Sequence, residues 1–259
     1  MSLLAEERKR KIIELIEKYG QVKVADLAED FQVSTESIRR YLEELEHERK
    51  LKKVYGGAVK VSDDIEEPTL FDREILHIDE KRKIAKKALT LIEHNDVIMI
   101  DEGSTTLQMI DGLKEFKGLT VITNSFPAAS KLISFANKNL FDGEIIFLGG
   151  NIRHRHYRTS GSLAERMAAE FYADKAFISI DGLELEAGMT SYDLEKSILT
   201  QNFIKNSKNS FVLTDHTKIG VKANYRIASV QEIDFIITDF ELDEKRKEYK
   251  EISEKWIVC

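Results

Sequence analysis

The most constraining feature of the sequence is a series of short apolar runs that alternate with stretches of helical periodicity from about residue 70 onward. Strands are predicted at 97–100, 120–123, 144–148, 175–180, 210–214 and 233–238. Helices are predicted at 79–94, 125–135, 162–172 and 194–207, with another after the loop at 101–106. Strands this apolar are buried on both faces, and the intervening helices cover a mainly parallel sheet. The pattern therefore predicts an α/β, Rossmann-like domain over residues 70–259.

The loop 101–106 (DEGSTT) follows the first of these strands and is the first part of a candidate binding site. In open parallel sheets, ligands bind beyond the carboxyl ends of the strands. A glycine followed by three hydroxyls at a helix N-terminus suits an anion, which free N–H groups and the helix dipole attract. A capped helix with solvated hydroxyls is the alternative, since the loop lacks the lysine of a P-loop.

Other strand ends extend this candidate site. Thr123 and Asn124 could bond sugar hydroxyls or simply cap the next helix, and Gly149-Gly150 indicates a tight turn or a close backbone approach. Lys218 could supply charge for a phosphate, although an exposed lysine is usually only solvated. Convergence of these ends in one crevice is what predicts a site. The predicted ligand-binding residues are Asp101, Gly103, Ser104, Thr105, Thr106, Thr123, Asn124, Gly149, Gly150, Arg153, Asp181, Glu195 and Lys218.

Residues 153–158 (RHRHYR) are the densest basic run outside the N-terminal part of the chain. A mobile basic loop over an anionic ligand and a solvated loop are equally compatible with this run. A metal site built from His154 and His156 is disfavoured, because no third ligand is evident. We therefore predict no metal, no cofactor and no catalytic residues.

The first 60 residues have a different pattern, with three predicted helices at 5–19, 25–31 and 35–48. Ser34 is a suitable N-cap for the third helix. Apolar residues at i, i+4 and i+7, which are Ile38, Leu42 and Leu45, turn one face inward. The opposite face carries short hydroxyls and two arginines, which suit a DNA major groove because arginine can pair with guanine. The predicted DNA-binding residues of this helix are Ser34, Thr35, Ser37, Arg39 and Arg40.

A hairpin is predicted after the third helix, because two runs within residues 51–59 (LKKVYGGAV) flank the Gly-Gly turn at Gly56 and Gly57. Three helices followed by a hairpin predict a winged helix-turn-helix over residues 1–60. The wing contributes Lys52, Lys53 and Tyr55 to the predicted DNA contacts, and its lysines would meet phosphates beside the groove.

The charge distribution agrees with contact to DNA at one end only. The net charge is −7, yet residues 1–60 hold 13 basic and 12 acidic residues, against 26 and 34 in the rest of the chain. Residues 61–69 carry four acids and a proline, which predicts a linker between two domains. The single cysteine, Cys259, allows no intramolecular disulfide, and no signal peptide or membrane span is evident. We expect a cytoplasmic protein without a membrane partner.

Several motifs together resemble the DeoR family of bacterial transcription regulators. They are Val33-Ser34, Ile38-Arg39-Arg40 and 54–58 (VYGGA) in the first 60 residues, and 101–106, 121–124, 148–150, Gly161, 177–182 and 215–218 beyond them. The resemblance covers nearly the whole chain. It implies a repressor of a sugar-catabolism operon that releases operator DNA when a phosphorylated sugar binds a domain similar to ribose-5-phosphate isomerase and glucosamine-6-phosphate deaminase. Two residues depart from the family pattern: Tyr41 stands where an aspartate is usual, and Glu102 where a small residue is common.

The expected function is therefore a DNA-binding repressor with a sugar-phosphate sensor. Its expected partners are double-stranded operator DNA and the phosphorylated sugar. A homodimer or higher homo-oligomer is expected, because recognition helices read half-sites about 34–36 Å apart. The competing hypothesis is a sugar-phosphate isomerase or deaminase with an appended regulatory domain, in which Asp181, Glu195 and Lys218 would support proton transfer.

Overall fold

The computed structural model describes residues 3–19, 21–48, 50–54, 56–60, 69–242 and 252–259. The chain divides into two compact units, Met1–Glu67 and Pro68–Cys259. The predicted linker, residues 61–69, falls across this division. None of the helices within the described ranges has the length and apolar content to cross a membrane.

The first unit is a three-helix domain with a small antiparallel sheet. Its helices are α1 (Leu3–Tyr19), α2 (Val24–Asp30) and α3 (Thr35–His47), and its strands are β1 (Gln21–Lys23), β2 (Leu51–Val54) and β3 (Gly57–Lys60). The backbone N–H of Ser37 donates to the Ser34 hydroxyl at 3.2 Å, which is the predicted N-cap. Ile38, Leu42 and Leu45 are buried in the core of this unit.

Strand β1 was not predicted, because three residues directly after a helix carry no readable alternation. It lies against β3, so the sheet order is β1-β3-β2. Gly57 lies where the two strands come closest, and a Cβ at this position would stand 2.0 Å from the carbonyl oxygen of Val22. Glycine at position 57 thus also permits β1 to pair with β3.

The second unit is an α/β domain whose central sheet has seven strands, all parallel. The strand order is β15-β14-β12-β9-β4-β5-β6. These strands are β4 (Val97–Ile100), β5 (Thr120–Thr123), β6 (Glu144–Phe147), β9 (Ala173–Ser179), β12 (Ser207–Leu213), β14 (Phe235–Thr238) and β15 (Trp256–Val258). The helices are α4 (Leu70–Ile75), α5 (Ile78–Leu89), α6 (Phe126–Asn137), α7 (Ser162–Ala169) and α8 (Leu194–Lys205).

Two apolar layers cover the two faces of this sheet. Met99, Ala176 and Ile178 pack into one layer together with residues of α7 and α8. Ile98 and Phe177, their neighbours along the strands, pack into the other layer with residues of α5 and α6. The period of two places successive side chains on opposite faces, which is why the strands appear as unbroken apolar runs. The predicted fold class, a winged helix-turn-helix followed by a parallel α/β domain, is confirmed.

Several elements differ from the prediction. Residues 106–115 form a 3₁₀ helix rather than an α-helix, and the six-residue helix α4 was too short to recognise. The run 153–158 was predicted to be a mobile or solvated loop, and this was wrong. Instead it contributes to the hairpin β7 (Asn151–Arg153) and β8 (Arg158–Ser160), with a 3₁₀ turn between them.

A second, antiparallel sheet was also missed. It consists of β10 (Gly182–Glu184), β11 (Gly188–Ser191) and β13 (Tyr225–Ala228), in that order. Residues 243–251 lie outside the described ranges, and 253–255 form a 3₁₀ turn that leads into β15.

Candidate functional site

The carboxyl ends of β4 and β9, two neighbouring central strands, are joined through Asp101. Its backbone N–H donates to the carbonyl oxygen of Phe177 at 3.1 Å. Its carboxylate accepts from the backbone N–H of Ser179 at 2.7 Å and from the Ser179 hydroxyl at 3.0 Å. Burial raises the pKa of Asp101 to about 7, although the positive charge of Lys196 opposes the shift. Asp101 therefore ties two strand ends together before the loop begins.

The loop 101–106 is buried, and its side chains divide into those that hydrogen-bond within the loop and those whose hydroxyls have no partner among the described residues. The Thr106 hydroxyl is fully buried, lies 3.0 Å from the Asp101 carboxylate and accepts from the N–H of Gly103 at 3.0 Å. A Cβ at Gly103 would stand 2.2 Å from the Ser179 hydroxyl, so this position requires glycine. The hydroxyls of Ser104 and Thr105, by contrast, make no hydrogen bond with any residue in the described ranges. These two hydroxyls are the ones available to a ligand.

Glu102 is the centre of a buried charge cluster. One carboxylate oxygen bonds the guanidinium of Arg158, and the other lies 3.4 Å from the guanidinium of Arg73. The ammonium of Lys196 is 3.8 Å away. Burial alone would raise the pKa of Glu102, but the charges of these three cations outweigh burial and hold the pKa below its ordinary value. The three cations therefore favour the ionised form of Glu102, although the residue is almost completely buried.

Asp181, at the end of β9, belongs to the same cluster. Its carboxylate accepts from the Ser191 hydroxyl at 2.7 Å and from the Lys196 ammonium at 3.2 Å, and Arg73 lies 4.0 Å away. Burial opposes ionisation, yet Lys196, Arg73 and the Ser191 hydroxyl hold the pKa of Asp181 well below its ordinary value. The predicted site residue Asp181 is thus an ionised group whose carboxylate is already engaged by this cluster.

Three cations of this cluster were not predicted as site residues from the sequence: Arg73, Arg158 and Lys196. A signal existed for Lys196, because Lys196, Leu199 and Phe203 are spaced i, i+3 and i+7 and all are buried. A lysine on the inward face of a helix needs a buried counter-charge, which would have pointed to the cluster. Arg158 was assigned to a loop but is fully buried, and it carries no comparable local signal.

Arg153 and Glu195, both predicted site residues, are paired with each other. The Arg153 guanidinium lies 2.8 Å from the Glu195 carboxylate, which also accepts from the Ser160 hydroxyl. The Ser160 bond and then the Arg153 charge lower the pKa of Glu195, and burial opposes them. Both side chains are partly exposed, so this pair can exchange partners with a bound molecule more readily than the buried cluster can.

Lys218 and Lys81 place positive charge near the end of β12. Lys218 is partly exposed and makes no side-chain hydrogen bond or ion pair with any described residue. Lys81 is buried and donates to the carbonyl oxygens of Arg73 and Leu76. Burial lowers the pKa of Lys81 to about 8, and the charge of Lys218 acts in the same direction. Lys218 is therefore a cation available to an incoming anion.

The ends of β5 and β6 contribute backbone geometry and one buried amide. The Asn124 amide nitrogen donates to the carbonyl of Thr159 at 2.9 Å, while its oxygen is buried and has no partner among the described residues. Thr123 is fully buried and its hydroxyl accepts from the N–H of Ser125, so Thr123 shapes the turn. At Gly150 a Cβ would stand 2.6 Å from the Ser160 carbonyl, while Gly149 has only one neighbour, at 3.8 Å. Gly150 thus marks the predicted close approach.

The histidines of the basic run do not form a metal site with other described residues. His154 is exposed. His156 is half-buried, and burial together with the charge of Arg158 lowers the pKa of His156 to about 4. His156 is therefore a neutral neighbour of the charge cluster.

In the first unit, α3 presents the predicted DNA-binding face to solvent. Arg39 is 64% exposed and 3.4 Å from Glu36, and Arg40 is also exposed. The hydroxyls of Ser34 and Ser37 lie 3.0 Å apart, so each is partly engaged by the cap. Thr35, also in the first turn, is exposed.

Of the predicted wing residues, the structure describes the side chain of Lys53 alone. Its ammonium lies 3.5 Å from Glu43, and its N–H donates to Glu46 at 2.7 Å. The prediction for Tyr55 falls outside the described residues, and so does that for the Lys52 side chain. Tyr41, the departure noted above, is buried in the core of the unit.

Comparisons with known proteins agree with both halves of this architecture. Residues 8–64 match the DeoR-like helix-turn-helix domain, and residues 76–240 match the DeoR C terminal sensor domain. The chain is 36% identical to the uncharacterized HTH-type transcriptional regulator FruR of Bacillus subtilis, over 92% of this chain and 93% of that one. It is 34% identical to the HTH-type transcriptional regulator GolR of Listeria innocua, over 90% of each chain.

A more distant relative is the glycerol-3-phosphate regulon repressor of Escherichia coli, at 28% identity over 90% of each chain. Among solved structures, ribose 5-phosphate isomerase A of Methanocaldococcus jannaschii superimposes on 55% of the chain with a TM-score of 0.39 at 21% identity, too weak a likeness to carry an argument. The family matches cover most of the chain, and the relatives are named as regulators. The chain belongs to the DeoR family of DNA-binding transcriptional regulators.

Proposed function

We propose that this regulator is a repressor whose sensor domain binds a phosphorylated sugar or polyol at the carboxyl ends of its central strands. One observation carries the proposal. Ser104 and Thr105 offer hydroxyls without protein partners, in a loop that Asp101, Gly103 and Thr106 hold rigid. The DeoR sensor-domain match and the glycerol-3-phosphate regulon repressor among the relatives support the same ligand class.

The site divides into a phosphate end and a hydroxyl end. Ser104, Thr105 and the available cation Lys218 suit a phosphate, which favours hydroxyl donors and a point charge. The Asn124 oxygen is a buried acceptor without a described partner, and a sugar hydroxyl would satisfy it. Glu195 and Arg153 could turn from each other toward further hydroxyls.

Control of DNA binding follows from a difference in affinity. A sugar phosphate that binds the DNA-incompetent arrangement more tightly lowers operator affinity by the ratio of its two affinities, and by no more. Two copies of the chain would present two recognition helices to half-sites about 34–36 Å apart, so a dimer or larger assembly is part of the proposal.

The enzyme hypothesis is not favoured by this geometry. A general base needs a pKa near the working pH and a free pair of electrons. Asp181 is held ionised by Lys196 and accepts from Ser191, while Glu195 is held by Arg153. Both carboxylates therefore suit binding better than proton transfer, and the relatives are named transcriptional regulators.

The test is thermal unfolding in the presence of a panel of sugar phosphates and the matching free sugars. A ligand at 100 times its Kd should stabilise the wild type by about 2.7 kcal/mol, which raises the unfolding midpoint of a domain of this size by about 5–11 °C. Thr105→Ala and Lys218→Ala should lose this shift, whereas Lys86→Ala, which removes an exposed lysine from α5, should keep it. A response to free sugars only, or an equal response in Lys218→Ala, would refute the phosphate site.

A further inference from the structure

Helix α4 is short, and buried charged groups are among the contacts that hold it. It has six residues, whereas isolated helices shorter than about 12 residues are marginal in water. Thr69 and Asp72 close its first turn with a capping box, which is local to the helix. Leu70 is buried and Ile75 is exposed. The contacts that the polar groups of α4 make with the rest of the sensor domain therefore contribute to its position.

Several of these contacts are made with the charge cluster around Glu102. The buried guanidinium of Arg73 lies 3.4 Å from Glu102 and 4.0 Å from Asp181. From α5, the ammonium of Lys81 donates to the carbonyl oxygen of Arg73 and, at 2.7 Å, to that of Leu76. The last turn of α4 is thus held by one cation of its own and by one from the next helix.

The charges that hold α4 are the ones an anion in the proposed site would disturb. Ser104 and Thr105 follow Glu102 by two and three residues in the same loop. A phosphate brings a charge of about −1.5 to −2, and charges interact strongly in a buried, low-dielectric site. Such a ligand would compete with Glu102 and Asp181 for the guanidinium of Arg73.

We propose that Arg73 is a positioning residue that couples ligand occupancy at the strand-end crevice to the placement of helix α4. In the chain, α4 is the first described helix after residues 61–68, which lead from the DNA-binding unit. A change in how Arg73 is held therefore acts where the sensor domain begins. The inference rests on the proposed function, because Arg73 can respond to a ligand only if an anion binds at the strand ends.

The test is hydrogen–deuterium exchange on the full chain, in inorganic phosphate and in chloride at equal ionic strength. Three proteins are compared: wild type, Arg73→Gln and the control Arg82→Gln. Arg82 also pairs with a carboxylate, Asp79 at 3.5 Å, but is largely exposed, so its loss removes the same charge without touching the cluster. If Arg73→Gln does not fold, as judged by Trp256 fluorescence, Arg73→Lys replaces it, because lysine keeps the charge but loses the two-pronged contact.

Without phosphate, peptides over 70–76 should exchange about tenfold faster in Arg73→Gln than in wild type, because local opening is no longer opposed by the ion pairs. With phosphate, wild type and Arg82→Gln should change exchange at both 101–107 and 70–76. Arg73→Gln should keep the response at 101–107 and lose the response at 70–76. The folded Arg73→Lys protein should show the same separation in a weaker form.

Each contrary result has a distinct meaning. Unchanged exchange at 70–76 in the Arg73 variant without phosphate would show that Arg73 does not hold α4, and would overturn the inference. A phosphate response at 70–76 that persists in the variant would overturn the coupling. No response at 101–107 in wild type would refute the proposed anion site itself, and the inference would fall with it.

Discussion

Replacing Glu102 with glutamine should destabilise the sensor domain severely, because it removes the central anion of a buried cluster and preserves the side-chain shape. Arg158, Arg73 and Lys196 would be left around a neutral amide. Removing one partner of a buried ion pair costs about 3–5 kcal/mol. Asp193, 2.8 Å from Arg158, and Asp181 remain as partial counter-charges, so the lower end, about 3 kcal/mol, is expected.

The control is Asp111→Asn, which breaks a 2.7 Å pair with Lys131 that is largely exposed. Exposed pairs contribute about 0–1 kcal/mol, so this variant should lose under about 1 kcal/mol. Urea unfolding of both proteins can be followed through Trp256, the single tryptophan of the chain, whose indole N–H donates to the Phe240 carbonyl in the sensor domain. Unfolding free energies and the slopes with urea should be compared at pH 7.

The pH dependence provides a second check on Glu102. Its folded pKa lies below the ordinary value, so its stabilising contribution is present above the pKa of the unfolded chain, about 4.5. That contribution is lost as pH falls through the folded pKa. The gap between wild type and Glu102→Gln should therefore narrow below about pH 4.5. If Glu102→Gln costs no more than Asp111→Asn at pH 7, the cluster does not hold the strand ends together.

Three further predictions follow from the geometry. Burial raises the folded pKa of Asp101 to about 7, so the fold favours its protonated form, and the unfolding free energy of wild type minus that of Asp101→Asn should fall as pH rises from 4 to 7; a flat difference would contradict its burial. Arg39→Ala should weaken operator binding by about 1–3 kcal/mol, and loss of discrimination at a single base pair in a mutated-operator series would show guanine contact. Lys53→Ala should weaken all DNA sequences alike and reduce the slope of log K against log salt by about one, and an unchanged slope would remove Lys53 from the wing contacts.

Much of the architecture could be predicted because it is encoded by local periodicity. The spacing of Ile38, Leu42 and Leu45 and the cap at Ser34 are properties of one helix, and the structure contains both. The short elements β1 and α4 were missed for the opposite reason. Three or six residues are too few to show a periodic pattern, and the contacts these elements make, such as Val22 paired with Ala58 and Arg73 beside Glu102, are with residues distant in the sequence.

The candidate site shows the same division. The topology of a parallel sheet determines that Asp101, Asn124 and Asp181 lie at one edge, and this follows from the strand assignments alone. The sequence does not show that Asp101 and Thr106 bond each other and hold the loop in place. Nor does it show that Glu195 is paired with Arg153. Those facts depend on which atoms meet after folding.

By itself, then, the sequence determined the recognition helix, the parallel sheet and the edge where polar side chains gather, because each depends on spacing along the chain. Only the tertiary structure decided that Arg158, 56 residues from Glu102, would be buried as its partner rather than solvated in a basic loop. The physical reason is that the cost of burying a charge depends on the counter-charge beside it. The counter-charge, Glu102, follows a strand that is distant in the sequence, so no local pattern around Arg158 could predict it.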